Sequence, residues 1–91
     1  MDTPNLFKEL KKKRKKIDLI DQKLLTLFNQ RLRHALEIGK IKKEVEEKVY
    51  DLRREREVLR RLKLKNKGPL KRENVEELFK TIMKVCRKSQ I

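Results

Sequence analysis

Residues 10 to 42 read LKKKRKKIDLIDQKLLTLFNQRLRHALEIGKIK, a stretch with no proline and a single glycine, Gly39. Within it Leu10, Arg14, Ile17, Asp21, Leu24, Phe28, Arg31, Ala35, Ile38 and Lys42 recur in alternating steps of four and three. That is the spacing of a helix that buries one seam against another helix, in the manner of a coiled coil. A flanking row of Leu6, Ile20, Leu27 and Ile41 widens the apolar face. Toward the N-terminus, Asp2-Thr3-Pro4 is a cap-like pair with proline near the first helical position. Toward the C-terminus nothing interrupts the helix until the Glu46 to Val49 region.

Beyond it, Val49-Tyr50-Asp51 forms a break whose aspartate suits the N-cap of a second helix, from about Leu52 to Leu64. Leu52, Leu59 and Leu62 share one face of that helix. Lys65-Asn66-Lys67-Gly68-Pro69 ends it. A third helix, from about Arg72 to Ser89, is expected to turn Val75, Leu78, Phe79, Ile82, Val85 and Cys86 inward. The expectation is an all-α single domain over residues 1–91. With two Gly, two Pro and mostly Lys, Arg, Glu and Leu, little in the composition opposes helix.

Length then bears on assembly. A first helix of that extent would be on the order of 65 Å long. A compact globule of 91 residues has a diameter of only about 30 Å. Its apolar stripe therefore needs a partner chain, and the simplest partner is a second copy. The sequence predicts an intertwined helical homodimer.

The charge balance excludes several classes. Lys and Arg number 28 against 14 Asp and Glu, for a net charge of +14, and 46% of the residues are charged. No apolar run exceeds pairs such as Leu24-Leu25, against the roughly 18 to 20 residues of a membrane span. Met1 to Leu10 lacks the apolar core of a secretory signal. A single cysteine, Cys86, fits a reducing compartment, and a cytoplasmic location is expected. One His and one Cys do not make a zinc site. His34 and Tyr50 read as surface or packing residues.

The informative residues are the polar ones inside the apolar stripe. Arg14, Arg31 and Lys42 stand where Leu or Ile would be expected, and burying a cation with no anionic partner costs several kcal/mol. Such residues pair with internal carboxylates, reach water along their alkyl stems, or await an anionic ligand. Arg31 and Lys42 are about 16 Å apart along a helix axis, which leaves room between two extended side chains for one small anion. Ala35 and Gly39 keep the floor of that gap low. Arg14 lies about 25 Å from Arg31 and would reach the anion only from an antiparallel partner. Asp51, Arg54 and Glu55 cluster at the start of the second helix, and Gln90 stands one residue from the C-terminus.

With these residues in view, the chain resembles the all-helical class of chorismate mutases. The resemblance runs from about Leu6 to Gln90. It rests on residues 14–21 (RKKIDLID), Leu24-Leu25 and Arg31, residues 38–42 (IGKIK), residues 51–56 (DLRRER), and Phe79 through Gln90. It implies three helices per chain in an intertwined dimer with two active sites, no cofactor and no metal. The implied reaction is the Claisen rearrangement of chorismate to prephenate, on the route to phenylalanine and tyrosine. It also implies roles. Arg31, with Arg14 of the partner chain, would grip the two substrate carboxylates. Lys42 would contact a carboxylate and the ether oxygen, and Gln90 would donate to that oxygen. Glu55, helped by the backbone near Asp51, would hold the ring hydroxyl, and Arg54 would line the carboxylate side. Cys86 falls where some members carry a serine that touches a carboxylate, and a thiol is the weaker donor. Gln90 has only Ile91 after it to hold the last turn. The family includes free-standing enzymes and domains fused to a dehydratase, a dehydrogenase or an aldol-type synthase.

Two other readings compete. Isochorismate pyruvate lyases share the scaffold and a similar cationic site, although Lys42, Asp51, Arg54, Glu55 and Gln90 together look more like a mutase. A basic helical nucleic-acid binder would use residues 11–16 (KKKRKK) as its phosphate footprint. Against it stand the absence of a zinc-finger or basic-zipper pattern and a supply of only three Phe and one Tyr for stacking.

Overall fold

Helix formers dominate the chain, and the computed structural model is helical accordingly. It describes residues 2–48 and 51–90. Three helices follow in order: α1 (Thr3–Glu44), α2 (Leu52–Lys65) and α3 (Arg72–Ser89). Val49 and Tyr50, two of the three residues of the expected break, lie outside the described residues. No helix among the described residues is long and apolar enough to cross a membrane.

The ends of these helices have local causes. At the end of α1, Glu46 adopts the left-handed conformation at φ 58°. The Glu47 amide donates to the Lys42 carbonyl at 2.8 Å, and the Glu46 amide to the Lys43 carbonyl at 3.3 Å. This is a Schellman closure, which satisfies carbonyls that a helix end would otherwise leave open. It stops α1 slightly before the Glu46 to Val49 region. As expected, Asp51 caps α2, its Oδ1 accepting from the Arg54 amide at 3.1 Å. Between α2 and α3, Asn66 accepts from the Gly68 amide at 3.1 Å and donates to the Leu70 carbonyl at 2.7 Å. Gly68 has φ +77°, a conformation that suits a residue without a Cβ. At the start of α3, Asn74 accepts from the Lys71 amide at 3.1 Å.

Packing divides the chain into two units, Met1–Arg31 and Leu32–Ile91. The described part of the first is α1 up to Arg31. There the large apolar side chains of the expected seam stand open, from 41% exposure at Leu24 and Phe28 to 55% at Ile17. Leu6, Phe7, Leu10, Leu19, Ile20, Leu25 and Leu27 are exposed as well.

The second unit holds the end of α1 with α2 and α3. The last two pack on each other, and a Lys63–Glu76 ion pair at 3.5 Å ties them together. Ala35, Gly39, Leu59, Val75, Met83 and Cys86 are buried. The inward face of α3 differs from the sequence expectation. Leu78 and Val85 are 49% and 53% exposed, whereas Met83 is 5% exposed. The buried stripe runs through Val75, Met83 and Cys86 with Phe79 half-buried. At 100° per residue, Leu78 and Val85 fall about 100° or more from the centre of that stripe. Leu52 of α2, also expected inward, is 44% exposed.

Candidate active site

The second unit gathers its polar groups around the C-terminal turn of α3. Gln90 caps that helix, its amide donating to the Arg87 carbonyl at 3.2 Å. Its side chain then crosses to α1, where Nε2 donates to the Ala35 carbonyl at 2.8 Å. Gly39 lies beneath it. A Cβ on Gly39 would stand 3.0 Å from both Cβ and Cγ of Gln90. The low floor expected at Ala35 and Gly39 is therefore real, and Gln90 occupies it. Its position near the chain end does not leave it loose, because the side chain anchors it 55 positions away in sequence.

The Gln90 amide is only partly used. Oε1 is buried and has no hydrogen-bond partner among the described residues. Nε2 carries a second hydrogen beyond the one given to Ala35. An unsatisfied buried carbonyl costs about 1–3 kcal/mol. Lys42 follows Gly39 by three residues, about 4.5 Å along α1, and is half-buried. Its backbone carbonyl is held by the Schellman closure, so the root of its side chain is fixed at the helix end.

On α2, Asp51 spends Oδ1 on the cap. Arg54 is exposed and stands 4.0 Å from Glu57. Glu55 is different. Its Oε2 accepts from Nη1 of Arg87 at 2.7 Å, and the two side chains are only 20% and 27% exposed. A free surface Arg/Glu pair would be more open and less fixed. A cleft of about 450 Å³ between α2 and α3 opens onto this pair. Cys86, the neighbour of Arg87, is buried.

Arg87 was not among the residues singled out from the sequence. A cue was available: it follows Met83 by four positions and precedes Gln90 by three, so it borders the inward stripe of α3. Arg14 and Arg31 belong to the first unit, Arg14 exposed and Arg31 half-buried on α1. His34 is exposed, 3.9 Å from Glu37, in keeping with a surface role.

Comparison with known proteins bears on what such an arrangement does. The family model described as chorismate mutase type II matches residues 13–91. A bifunctional chorismate mutase/prephenate dehydratase of Neisseria gonorrhoeae is 45% identical over 73 residues, covering 80% of this chain and 20% of the relative. One of the same description from Aquifex aeolicus is 34% identical over 84 residues, covering 88% and 23%. The chain thus spans about a fifth of the length of the curated relatives it matches. Among solved structures, chorismate mutase (form II) from Thermus thermophilus superimposes with a TM-score of 0.89 at 33% identity, covering 90% of this chain and 93% of that one. A conserved hypothetical protein from Pyrococcus furiosus superimposes with a TM-score of 0.76 at 38% identity, covering 91% and 96%.

Proposed function

Because this chain belongs to the chorismate mutase type II family, we propose that it converts chorismate to prephenate, with the whole chain acting as one mutase domain. The observation that carries this reading is the seat of Gln90 on Ala35 and Gly39, one helical turn from Lys42. It supplies two hydrogen-bond donors to one patch of α1.

The chemistry suits those donors. In the rearrangement a C–O bond breaks as a C–C bond forms, and the ether oxygen gains negative charge. A concerted step of this kind is helped by a compact substrate conformer and by donors already aimed at that oxygen. Lys42 and the second N–H of Gln90 are the donors in this reading. Glu55 accepts from the ring hydroxyl, assisted by the backbone near Asp51, and Arg54 lines the carboxylate side. The substrate carboxylates fall to Arg31 and to Arg14 of a second copy on the family resemblance. Cys86 is buried on α3, and on the family resemblance it is the weaker counterpart of a serine that touches a carboxylate.

A homodimer belongs to the same proposal. The exposed apolar residues of α1 up to Arg31 form a stripe that water does not favour, and covering it with the same stripe of a second copy would stabilise both by about 25 cal/mol per Å² buried. A cytoplasmic location fits the lone cysteine. The +14 charge favours encounter with a dianionic substrate, so raised salt should slow the apparent second-order rate.

The test is to incubate the pure protein with chorismate, follow the loss of its ultraviolet absorbance and identify the product, with Arg31→Ala alongside. Prephenate from the wild type and not from the variant supports the proposal. Pyruvate released from isochorismate, with no prephenate from chorismate, replaces the mutase with a lyase. No turnover of either, with tight salt-sensitive duplex binding, replaces it with a nucleic-acid binder.

A further inference from the structure

The geometry points to Arg87 as a positioning residue for Glu55. This rests on the proposed mutase activity, in which Glu55 accepts a hydrogen bond from the substrate's ring hydroxyl.

Glu55 lies in the first turn of α2 and Arg87 in the last turn of α3, 32 positions later, and their 2.7 Å bond spans the packed interface of the two helices. Both side chains are largely withdrawn from water, so the attraction is less screened than at an open surface. A glutamate side chain left to itself samples many rotamers, and ordering it when substrate arrives would weaken binding. The bond to Arg87 fixes Oε2 beforehand. A carboxylate has two oxygens and about four acceptor directions, so one charge-assisted bond leaves capacity for the substrate hydroxyl. Arg87 itself is held on the backbone turn whose carbonyl receives the Gln90 amide. The turn that aims Gln90 at α1 therefore also aims Arg87 at α2, and a shift of this turn would disturb both groups.

The experiment is a double-mutant cycle on the full chain: wild type, Arg87→Met, Glu55→Ala and the double variant, each assayed for chorismate turnover, with thermal melts to verify folding. Arg87→Met is expected to lower kcat/KM about tenfold, within the range for residues in direct contact, and chiefly through KM. Arg87→Lys, which keeps the charge without the planar fork, should recover part of the loss. In the Glu55→Ala background the Arg87→Met change should cost less than about twofold. Should Arg87→Met fail to fold, Arg87→Lys runs the same cycle with a smaller expected loss. An active wild type whose Arg87 variant stays within about twofold, or loses as much without Glu55 as with it, overturns the role of Arg87 alone. A wild type that makes no prephenate overturns the proposed activity, and the Arg87 role with it.

Discussion

The side chain of Gln90 rests on the backbone of Gly39, so closely that a Cβ there would come within 3.0 Å of its Cβ and Cγ. Any side chain at position 39 must push the Gln90 amide away by a few tenths of an ångström. The glycine's space is thus committed to placing one donor.

Gly39→Ala follows from that contact. Alanine favours helix over glycine by about 1 kcal/mol, so thermal stability should hold or rise. Turnover should fall about three- to tenfold as Gln90 is displaced, since small misplacements at a reacting centre are costly. Paired melting and kinetic measurements check this, and full turnover in a stable variant would contradict it.

Lys42→Ala removes the second proposed donor while leaving the helix end intact. The Schellman closure uses the Lys42 carbonyl, which alanine retains. Helicity by circular dichroism should therefore be unchanged, while kcat falls about 10² to 10³, the usual effect of losing one preorganised donor. Retention of more than about a tenth of wild-type turnover would remove Lys42 from the proposed chemistry.

Glu46 holds a left-handed conformation, φ 58°, at the position after the α1 cap where glycine is preferred. Glu46→Gly relieves the Cβ crowding but enlarges the freedom of the unfolded chain. The expected net gain is about 0.5–1 kcal/mol in urea denaturation at fixed protein concentration. A loss of stability would show that the glutamate side chain contributes more than its backbone strain costs.

Glu76 is held below the ordinary glutamate pKa, first by its hydrogen bond with Lys80 and then by the charges of Lys63 and Lys80. Its ionised form is favoured by folding. That contribution is fully present above the unfolded-chain pKa of about 4.3 and is lost as pH falls through the lowered folded value. Glu76→Gln should lower the melting temperature at pH 7, and the gap from wild type should close on acidification. A gap that is constant with pH would assign the effect to packing.

Much of the fold was legible because helix formers and apolar periodicity act locally. The four-and-three spacing from Leu10 to Lys42 marked α1, Asp51 marked the start of α2, and the Lys65 to Pro69 stretch marked its end. Among the candidate residues Lys42 stood out by its place in the apolar stripe, whereas Asp51, Arg54, Glu55 and Gln90 were carried by the family resemblance. The face of α3 was harder. Its apolar residues span an arc of about 160°, wider than the face that packs, and spacing alone does not say which part of it meets a neighbour. Tertiary packing turned Met83 in and left Leu78 and Val85 open.

The sequence by itself determined an all-helical chain of three elements, their order and nearly their ends, because each is set by residues within one or two turns. Only the tertiary structure decided that Gln90 reaches Ala35 across 55 positions and that Arg87 grips Glu55 across 32. Those pairings depend on how the α1–α2 and α2–α3 connections steer one helix end onto another. No local pattern encodes that, because the same helices on differently angled turns would present the same faces to different neighbours.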